Sequence, residues 1–314
     1  MSTSRPPISS KRSNLMGVLR LARPLNLLIS AGTMGALRYG WMERWTPQGN
    51  FTQLPLIDFL LGAFVVVLLM AAGNVINAYF DTTEDRINKP ERAIVDRLVK
   101  RRVLIIAHQA LNTVGIGIAC FLAWKYSGLG HLLLPVTVSF LLWRYSARWK
   151  SRPFIGNLVV AGLLGLVPIW MGILESPFHP IGSERWGLMW PLLGFGGMAF
   201  GIGMAREIAK DARDEPGDRV AGKNSIPIQF GSNATRKWVA GILIAMAAVY
   251  VSSIVALSPK VEVWTILPWM SPLPFIVLAI FSTILKKPRW KWADRWILAA
   301  LVAGFVQCFW IPVL

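Results

Sequence analysis

The chain has 314 residues, of which 54% are hydrophobic, and its mean hydropathy is +0.49. Apolar runs of about 20 residues recur along it, which excludes a soluble domain and predicts a protein that crosses a membrane many times. The runs are continuous and do not alternate with a period of two, so they predict helices and not barrel strands. The formal net charge of +17 raises the possibility of a nucleic-acid partner. The positions of the charged residues along the chain test this possibility.

Nine apolar segments are predicted to be transmembrane helices, forming an all-α bundle around a central cavity. Residues 1–20 are rich in Ser and Pro and are predicted to be a disordered cytoplasmic N-terminus. Residues 21–314 are predicted to form one polytopic domain. The predicted spans are residues 24–42, 56–80, 103–123, 131–147, 154–174, 187–206, 237–257, 263–285 and 295–313.

The positive charge is concentrated in alternate connections between these spans. Of the 33 Lys and Arg residues, 28 lie in the N-terminus and in four alternate segments. This pattern predicts that those segments are cytoplasmic and that the C-terminus is outside. Topology therefore explains the charge, and no nucleic-acid partner is predicted. The four segments are residues 81–103, 144–152, 206–237 and 286–295.

A polar motif closes the second predicted span. If the helix continues, Asn77, Asp81 and Asp85 are spaced i, i+4, i+8 and share one stripe. Two carboxylates and an amide on one stripe favour a hard cation with oxygen ligands, such as Mg²⁺. Taken alone, the motif is explained equally well by an acidic helix end exposed to water.

A second acidic motif follows the sixth predicted span. Asp211, Asp214 and Asp218 are spaced i, i+3, i+7, although Pro216 and Gly217 are predicted to break the helix before Asp218. Two such motifs, both in cytoplasmic segments, indicate a divided site for a polyphosphate bridged by metal ions.

At these motifs the sequence resembles the UbiA family of intramembrane prenyltransferases. The family's first signature, NDxxDxxxD, stands here as Asn77-Ala-Tyr-Phe-Asp81-Thr-Thr-Glu-Asp85, and Ala78 departs from the acidic or amide residue usual at that position. The second signature, DxxDxxxD, stands as Asp211-Ala-Arg-Asp214-Glu-Pro-Gly-Asp218.

Two flanking elements extend the resemblance. Asn88-Lys-Pro-Glu-Arg92 is similar to the family's NxPxRP, with Ala93 in place of the final proline. Arg23-Pro-Leu-Asn26 on the first span looks like a family element whose arginine faces the diphosphate.

The resemblance implies Mg²⁺-dependent transfer of a prenyl group from its diphosphate, with ionisation to an allylic cation shielded by the apolar bundle. Its implied catalytic residues are Asp81, Asp85, Asp211 and Asp214. Its implied metal ligands are Asn77, Asp81, Asp85, Asp211, Asp214 and Asp218. Its implied substrate-binding residues are Arg23, Asn26, Asn77, Arg86, Asn88, Arg92, Tyr145, Lys150, Arg206, Lys210 and Lys223.

The second motif, together with Lys223, is similar to that of digeranylgeranylglyceryl phosphate synthases. That likeness implies geranylgeranyl diphosphate as donor, geranylgeranylglyceryl phosphate as lipid acceptor, and a role in ether-lipid synthesis in a prokaryotic cell membrane. Family branches that act on aromatic, quinone-precursor or tetrapyrrole acceptors share similar motifs and remain open.

Three other classes fit less well. A CDP-alcohol phosphatidyltransferase requires DGxxAR, which is absent around Asp81 and Asp211. A soluble chain-elongating prenyltransferase requires DDxxD, and this sequence has no Asp-Asp pair. A transporter or non-catalytic binding protein would place ionisable residues at mid-span, where the predicted spans have almost none.

Overall fold

The computed structural model describes residues 11–43, 52–88, 90, 93–178, 190–257 and 263–310. In these ranges the backbone forms twelve α-helices. They are α1 Lys11–Leu21, α2 Pro24–Gly35, α3 Leu56–Phe80, α4 Thr82–Asn88, α5 Arg101–Lys125, α6 Gly130–Ala147, α7 Ile155–Glu175, α8 Trp190–Val220, α9 Ile226–Leu257, α10 Val263–Trp269, α11 Pro272–Ile284 and α12 Trp290–Val306.

Six helical segments in the described part of the chain are long and apolar enough to cross a membrane. Three other predicted spans are 24–42, on α2 with its π-helical extension Ala36–Met42, 131–147, on α6, and 187–206, whose described residues 190–206 lie on α8. These three do not join the group of six, so the count of nine stays a prediction. The six segments are Leu56–Phe80, Arg101–Lys125, Ile155–Phe178, Ile226–Ala256, Ile266–Ile284 and Trp290–Phe309.

The expected disorder of residues 1–20 is wrong for residues 11–20, which belong to α1; residues 1–10 lie outside the described ranges. The helix is held by a close approach that composition does not reveal. Val18 and Leu21 pack against a cluster that includes Val99. A Cβ on Gly17 would lie 1.9 Å from Val99 Cγ2. The small residue therefore lets α1 lie directly on the connection between α4 and α5.

The expected helix break before Asp218 is also wrong, because α8 continues through Pro216 to Val220. Proline gives no N–H to the preceding turn. At this interruption the side chain of Asn88 supplies hydrogen bonds: its Nδ2 donates to the Asp214 carbonyl at 2.7 Å, and its Oδ1 accepts from the Gly217 N–H at 3.0 Å. Asp218 thus remains on the helix that carries Asp211 and Asp214.

Helices α7 and α8 pack closely against each other where they cross. A Cβ on Gly165 would lie 2.7 Å from the Gly196 carbonyl oxygen, and a Cβ on Gly196 the same distance from that of Gly165. Backbones this close require glycine on both helices, as at many helix contacts in membranes. The crossing brings the N-terminal turn of α7 beside the second acidic motif.

Charged residues are also buried at the other end of α3, about 35 Å from Asp81 by helical rise. Asp58 accepts hydrogen bonds from Lys125 Nζ at 2.7 Å and from the Tyr126 hydroxyl at 2.6 Å. Glu175 Oε2 accepts from the N–H of Leu54 at 3.3 Å, and Arg38 Nη2 donates to the Leu54 carbonyl at 2.7 Å. These contacts join the helix ends there, away from both acidic motifs.

Candidate active site

The first motif lies where α3 ends and α4 begins. Asp81 is the residue between the two helices, yet its N–H donates to the Asn77 carbonyl and its carbonyl accepts from the Asp85 N–H, both at 2.9 Å. The predicted stripe is therefore nearly preserved. Asn77 Nδ2 donates to Asp81 Oδ2 at 2.6 Å, and Lys150 Nζ contacts the same oxygen.

Lys223 joins the first motif to the second. Its ammonium nitrogen lies 2.5 Å from Glu84 Oε1, 3.5 Å from Asp81 Oδ1 and 3.8 Å from Asp218 Oδ1. The side chain is 8% exposed. Carboxylates from both motifs therefore share one buried cation.

The end of α8 explains why Lys223 reaches this position. Gly222 has a φ of +69°, the left-handed conformation that commonly follows a helix. The Lys223 N–H then donates back to the Asp218 carbonyl at 2.9 Å. This turn directs the chain back over the helix end, beside the acidic residues.

The lysines determine the charge of the first motif. Burial opposes ionisation of Asp81, but the ammonium groups of Lys150 and Lys223 keep the pKa of its carboxyl below the usual value. Burial likewise opposes the charge of Lys150, and Asp81 outweighs it, raising the pKa of the ammonium group. Asp81 is therefore an anion that already has cationic partners.

Asp211 has a different environment. Its Oδ2 accepts a hydrogen bond from Asn157 Nδ2 on α7 at 2.8 Å. Burial, assisted by the charges of Glu207 and Asp218, raises the pKa of the Asp211 carboxyl to about 7. Tyr145 on α6 lies within the fields of Asp211, Asp81 and Glu207. Tyr145 is therefore close enough to acids of both motifs to feel their charge, and its predicted role in substrate binding stays a prediction.

The remaining cations of α8 are paired. Lys210 Nζ lies 2.8 Å from Glu207 Oε1. Arg213 Nε lies 2.9 Å from Asp214 Oδ1, and its Nη1 contacts Asp294 on α12. Arg206 Nε lies 2.9 Å from Asp294 Oδ1. Asp294 therefore orients two arginines at the junction of α8 and α12.

Arg23 occupies the turn between α1 and α2 in the left-handed region, with a φ of +58°. This conformation is strained for a residue with a side chain. The turn is held because Asn74 Nδ2 on α3 donates to the Ala22 carbonyl at 2.9 Å. The Arg23 charge is close enough to influence both Asp81 and Lys210.

An apolar cavity of about 520 Å³ opens beside this site. Its lining includes Asn26 and Arg206 near the motifs and Trp41 at the far end of the helical run that begins with α2. Asn26 and Trp41 are separated by about 20 Å of helix. The cavity is therefore elongated and has polar groups at the end near the motifs.

The structure does not bring all of the predicted site residues together. Among the described residues, no three His, Cys, Asp or Glu side chains form a ready-made metal cage. Asp85 is partly buried on α4, whereas Arg86 beside it is exposed. Arg92 lies outside the described ranges.

Comparison with known proteins places the chain in a family. Residues 45–302 match the UbiA prenyltransferase family. The chain belongs to this family, and it is a multi-pass membrane enzyme. It is 31% identical to a digeranylgeranylglyceryl phosphate synthase of Thermococcus sibiricus over 236 residues, covering 74% of this chain and 75% of the relative.

This UbiA-family prenyltransferase shares its fold with two solved structures. One, described as a digeranylgeranylglyceryl phosphate synthase in membranes, has a TM-score of 0.63 at 23% identity and covers 94% of this chain and 99% of that one. The other is a UbiA homologue from Archaeoglobus fulgidus bound to GPP and Mg²⁺. Its TM-score is 0.63 at 16% identity, covering 93% of this chain and 99% of that one.

Sequence reasoning missed several residues of the site in this prenyltransferase. Glu84 stands one position before Asp85, and its place within the first motif could have marked it as a site residue. Asn157 and Asp294 approach α8 from 54 and 88 residues away. For Asp294, the signal was a single acid within the basic segment 286–295.

The Asp294→Asn substitution tests the arginine junction. It removes a carboxylate shared by Arg206 and Arg213, so we expect a stability loss of about 1–3 kcal/mol and reduced turnover. Thermal unfolding in detergent measures the first effect. The matched control is Asp96→Asn, because its pair with Arg101 is 40% and 49% exposed and should contribute little. Equal effects of the two substitutions would contradict the assignment.

Proposed function

We propose that this enzyme transfers a geranylgeranyl group from its diphosphate to the free hydroxyl of geranylgeranylglyceryl phosphate, with Mg²⁺ as cofactor. The observation that carries the proposal is the convergence of both acidic motifs on Lys223 beside an elongated apolar cavity. The name of the Thermococcus relative supports the choice of acceptor. A related structure that holds GPP and Mg²⁺ supports the donor class and the metal.

The side chains fit Mg²⁺ by donor type. Asn77, Asp81 and Asp218 offer oxygen ligands, and the lowered pKa of Asp81 keeps its carboxylate ionised. Mg²⁺ commonly uses only one or two protein carboxylates and completes its shell with water and substrate phosphate. Asp85, Asp211 and Asp214 would complete the set around the diphosphate. When bound, Mg²⁺ would neutralise the charge that develops on the leaving group.

The cations of this chain would bind and orient the diphosphate. Lys150, Lys223 and Arg23 face the motifs and can donate hydrogen bonds to phosphate oxygens. The C1–oxygen bond of the prenyl diphosphate breaks, and its electron pair leaves with the diphosphate. The acceptor oxygen then bonds to C1, and its hydroxyl proton is released. Electrostatic stabilisation of the departing diphosphate is the main contribution of the site.

The cavity would hold the isoprenoid tail and keep water from the allylic cation. Its polar end is formed by Asn26 and Arg206, and its far end includes Trp41. This orientation places the diphosphate beside the motifs and the tail toward the apolar interior. Arg86, Lys210 and Tyr145 are further candidates for substrate contacts at the polar end.

Gly304→Leu is expected to shorten the prenyl group that the enzyme accepts. Gly304 lines the cavity, and a Cβ there meets nothing within 4 Å. Added bulk should lower kcat/KM for geranylgeranyl diphosphate by about 10- to 100-fold and spare geranyl diphosphate. Steady-state kinetics with both donors measure the change. Gly241→Leu is the control, because Gly241 has the same free space but is exposed on α9. An equal loss with both donors would contradict this view of the cavity.

We further propose nine spans with the motifs and N-terminus in the cytoplasm of a prokaryotic cell. The alternating distribution of Lys and Arg supports this orientation. Cysteine accessibility from each side of sealed vesicles tests it: a cysteine introduced at exposed Arg86 should react only from the cytoplasmic side.

A competition assay tests the acceptor. Purified enzyme in liposomes receives geranylgeranyl diphosphate, Mg²⁺ and equal amounts of geranylgeranylglyceryl phosphate and aromatic acceptors, with products identified by mass spectrometry. We expect the lipid phosphate to be alkylated. Preferential alkylation of an aromatic acceptor would retain the family chemistry and reject the ether-lipid assignment.

A further inference from the structure

We infer that Asn88 is a positioning residue that joins the two acidic motifs, and not a substrate ligand. It is the last residue of α4, three residues after the first motif ends at Asp85. Its amide is occupied on both sides by the backbone of α8: Nδ2 donates to the Asp214 carbonyl and Oδ1 accepts from the Gly217 N–H. The inference concerns the site of the proposed function, and its effect on turnover rests on that function.

The location explains why an amide is needed. Pro216 interrupts the hydrogen bonding of α8 and lies between the two residues that Asn88 contacts. One side chain therefore supplies both a donor and an acceptor to the helix backbone on either side of the proline. These two hydrogen bonds from another helix stabilise the turn that carries Asp214 and Asp218.

Gly217 makes the approach possible. A Cβ at this position would lie 2.3 Å from Asn88 Nδ2 and 2.7 Å from Oδ1. These are amide atoms held by hydrogen bonds, so they cannot move without breaking the bridge. Asn88 and Gly217 therefore act as a matched pair.

The consequence is a fixed spacing between the motifs. Asp81 and Asp218 both lie within 4 Å of the Lys223 ammonium group, and the bridge ties α4 to the turn of α8 that carries Asp218. Losing the bridge should leave Arg23 and Lys150, which lie on other elements, in place but let the second motif shift. Misplacement of this kind reduces turnover more than binding.

A double-mutant cycle tests the inference. N88A, G217A and the double variant are compared by hydrogen–deuterium exchange over residues 213–223 and by kinetics, with exposed Asn233 replaced in N233A as the control. We expect each single substitution to speed exchange at Gly217 about tenfold. We also expect each to lower kcat about 10- to 100-fold with little change in KM for the prenyl diphosphate. N233A should match wild type.

The double variant gives the decisive comparison. G217A should add no further loss to N88A, because the atoms it collides with are then absent. N88D keeps the acceptor and loses the donor, so it should keep Gly217 protected while lowering kcat. Additive losses, or a raised KM with unaltered exchange in N88A, would overturn the inference. Exchange needs no turnover, so an inactive wild-type enzyme would reject the proposed reaction and still allow the bridge to be tested.

Discussion

Asp81→Asn is expected to abolish prenyl transfer while leaving the chain folded. The substitution keeps the shape of the side chain but removes the anion that Asn77, Lys150 and Lys223 contact. We expect turnover to fall by about 10³-fold, because Asp81 is the proposed metal ligand and orients both lysines. Release of diphosphate measures turnover, and size-exclusion chromatography confirms folding.

Glu215→Gln is the matched control for Asp81→Asn. Glu215 is an acid on the second motif's helix, but it pairs outward with Arg219 at 2.7 Å. Its loss should not change turnover. Asp81→Asn should also remove the rise in unfolding temperature that Mg²⁺ and a non-reactive diphosphate analogue produce together. Wild-type turnover in the Asp81 variant would reject its catalytic assignment.

Lys223→Met is expected to have the next largest effect. The buried ammonium lies among Glu84, Asp81 and Asp218, so its removal leaves carboxylates facing one another without that cation. We expect turnover to fall about 10²-fold because the proposed contact to the leaving diphosphate is lost. Removing one partner of a buried charge cluster should also lower the unfolding temperature.

A higher Mg²⁺ concentration separates the effect of Lys223→Met on turnover from its effect on unfolding temperature. A divalent ion can replace the missing charge, so high Mg²⁺ should restore the unfolding temperature but not turnover. Lys237→Met, which removes an exposed lysine from α9, should change neither. If Lys223→Met, like Lys237→Met, changed neither turnover nor unfolding temperature, the charge of Lys223 would contribute only to the orientation of the protein in the membrane.

Local patterns in the sequence predicted the all-helical fold and the shared stripe of the first acidic motif. The i, i+4, i+8 pattern of Asn77, Asp81 and Asp85 predicted a shared stripe, and backbone hydrogen bonds preserve it through the change from α3 to α4. Lys223 was predicted to bind substrate, and it lies between both motifs. That role remains a proposal.

Other features depend on contacts that spacing does not encode. Pro216 was expected to end its helix, but Asn88, more than 120 residues away, supplies hydrogen bonds at the interruption. The N-terminal helix α1 was missed because it packs through Gly17 and Leu21 against a distant segment that includes Val99. Asp294 was missed for the same reason, since its partners lie on another helix. Each of these contacts exists only after the bundle has formed.

The central claim is Mg²⁺-dependent prenyl transfer to a lipid phosphate. The most direct test is a time course with purified enzyme in liposomes containing geranylgeranyl diphosphate and geranylgeranylglyceryl phosphate. Diphosphate release and product mass are followed together, with Mg²⁺, with chelator, and after Mg²⁺ is restored. We predict that both products form in equal amounts, stop with chelator and resume with Mg²⁺. Formation of neither product, with this acceptor or any aromatic acceptor, would contradict the account.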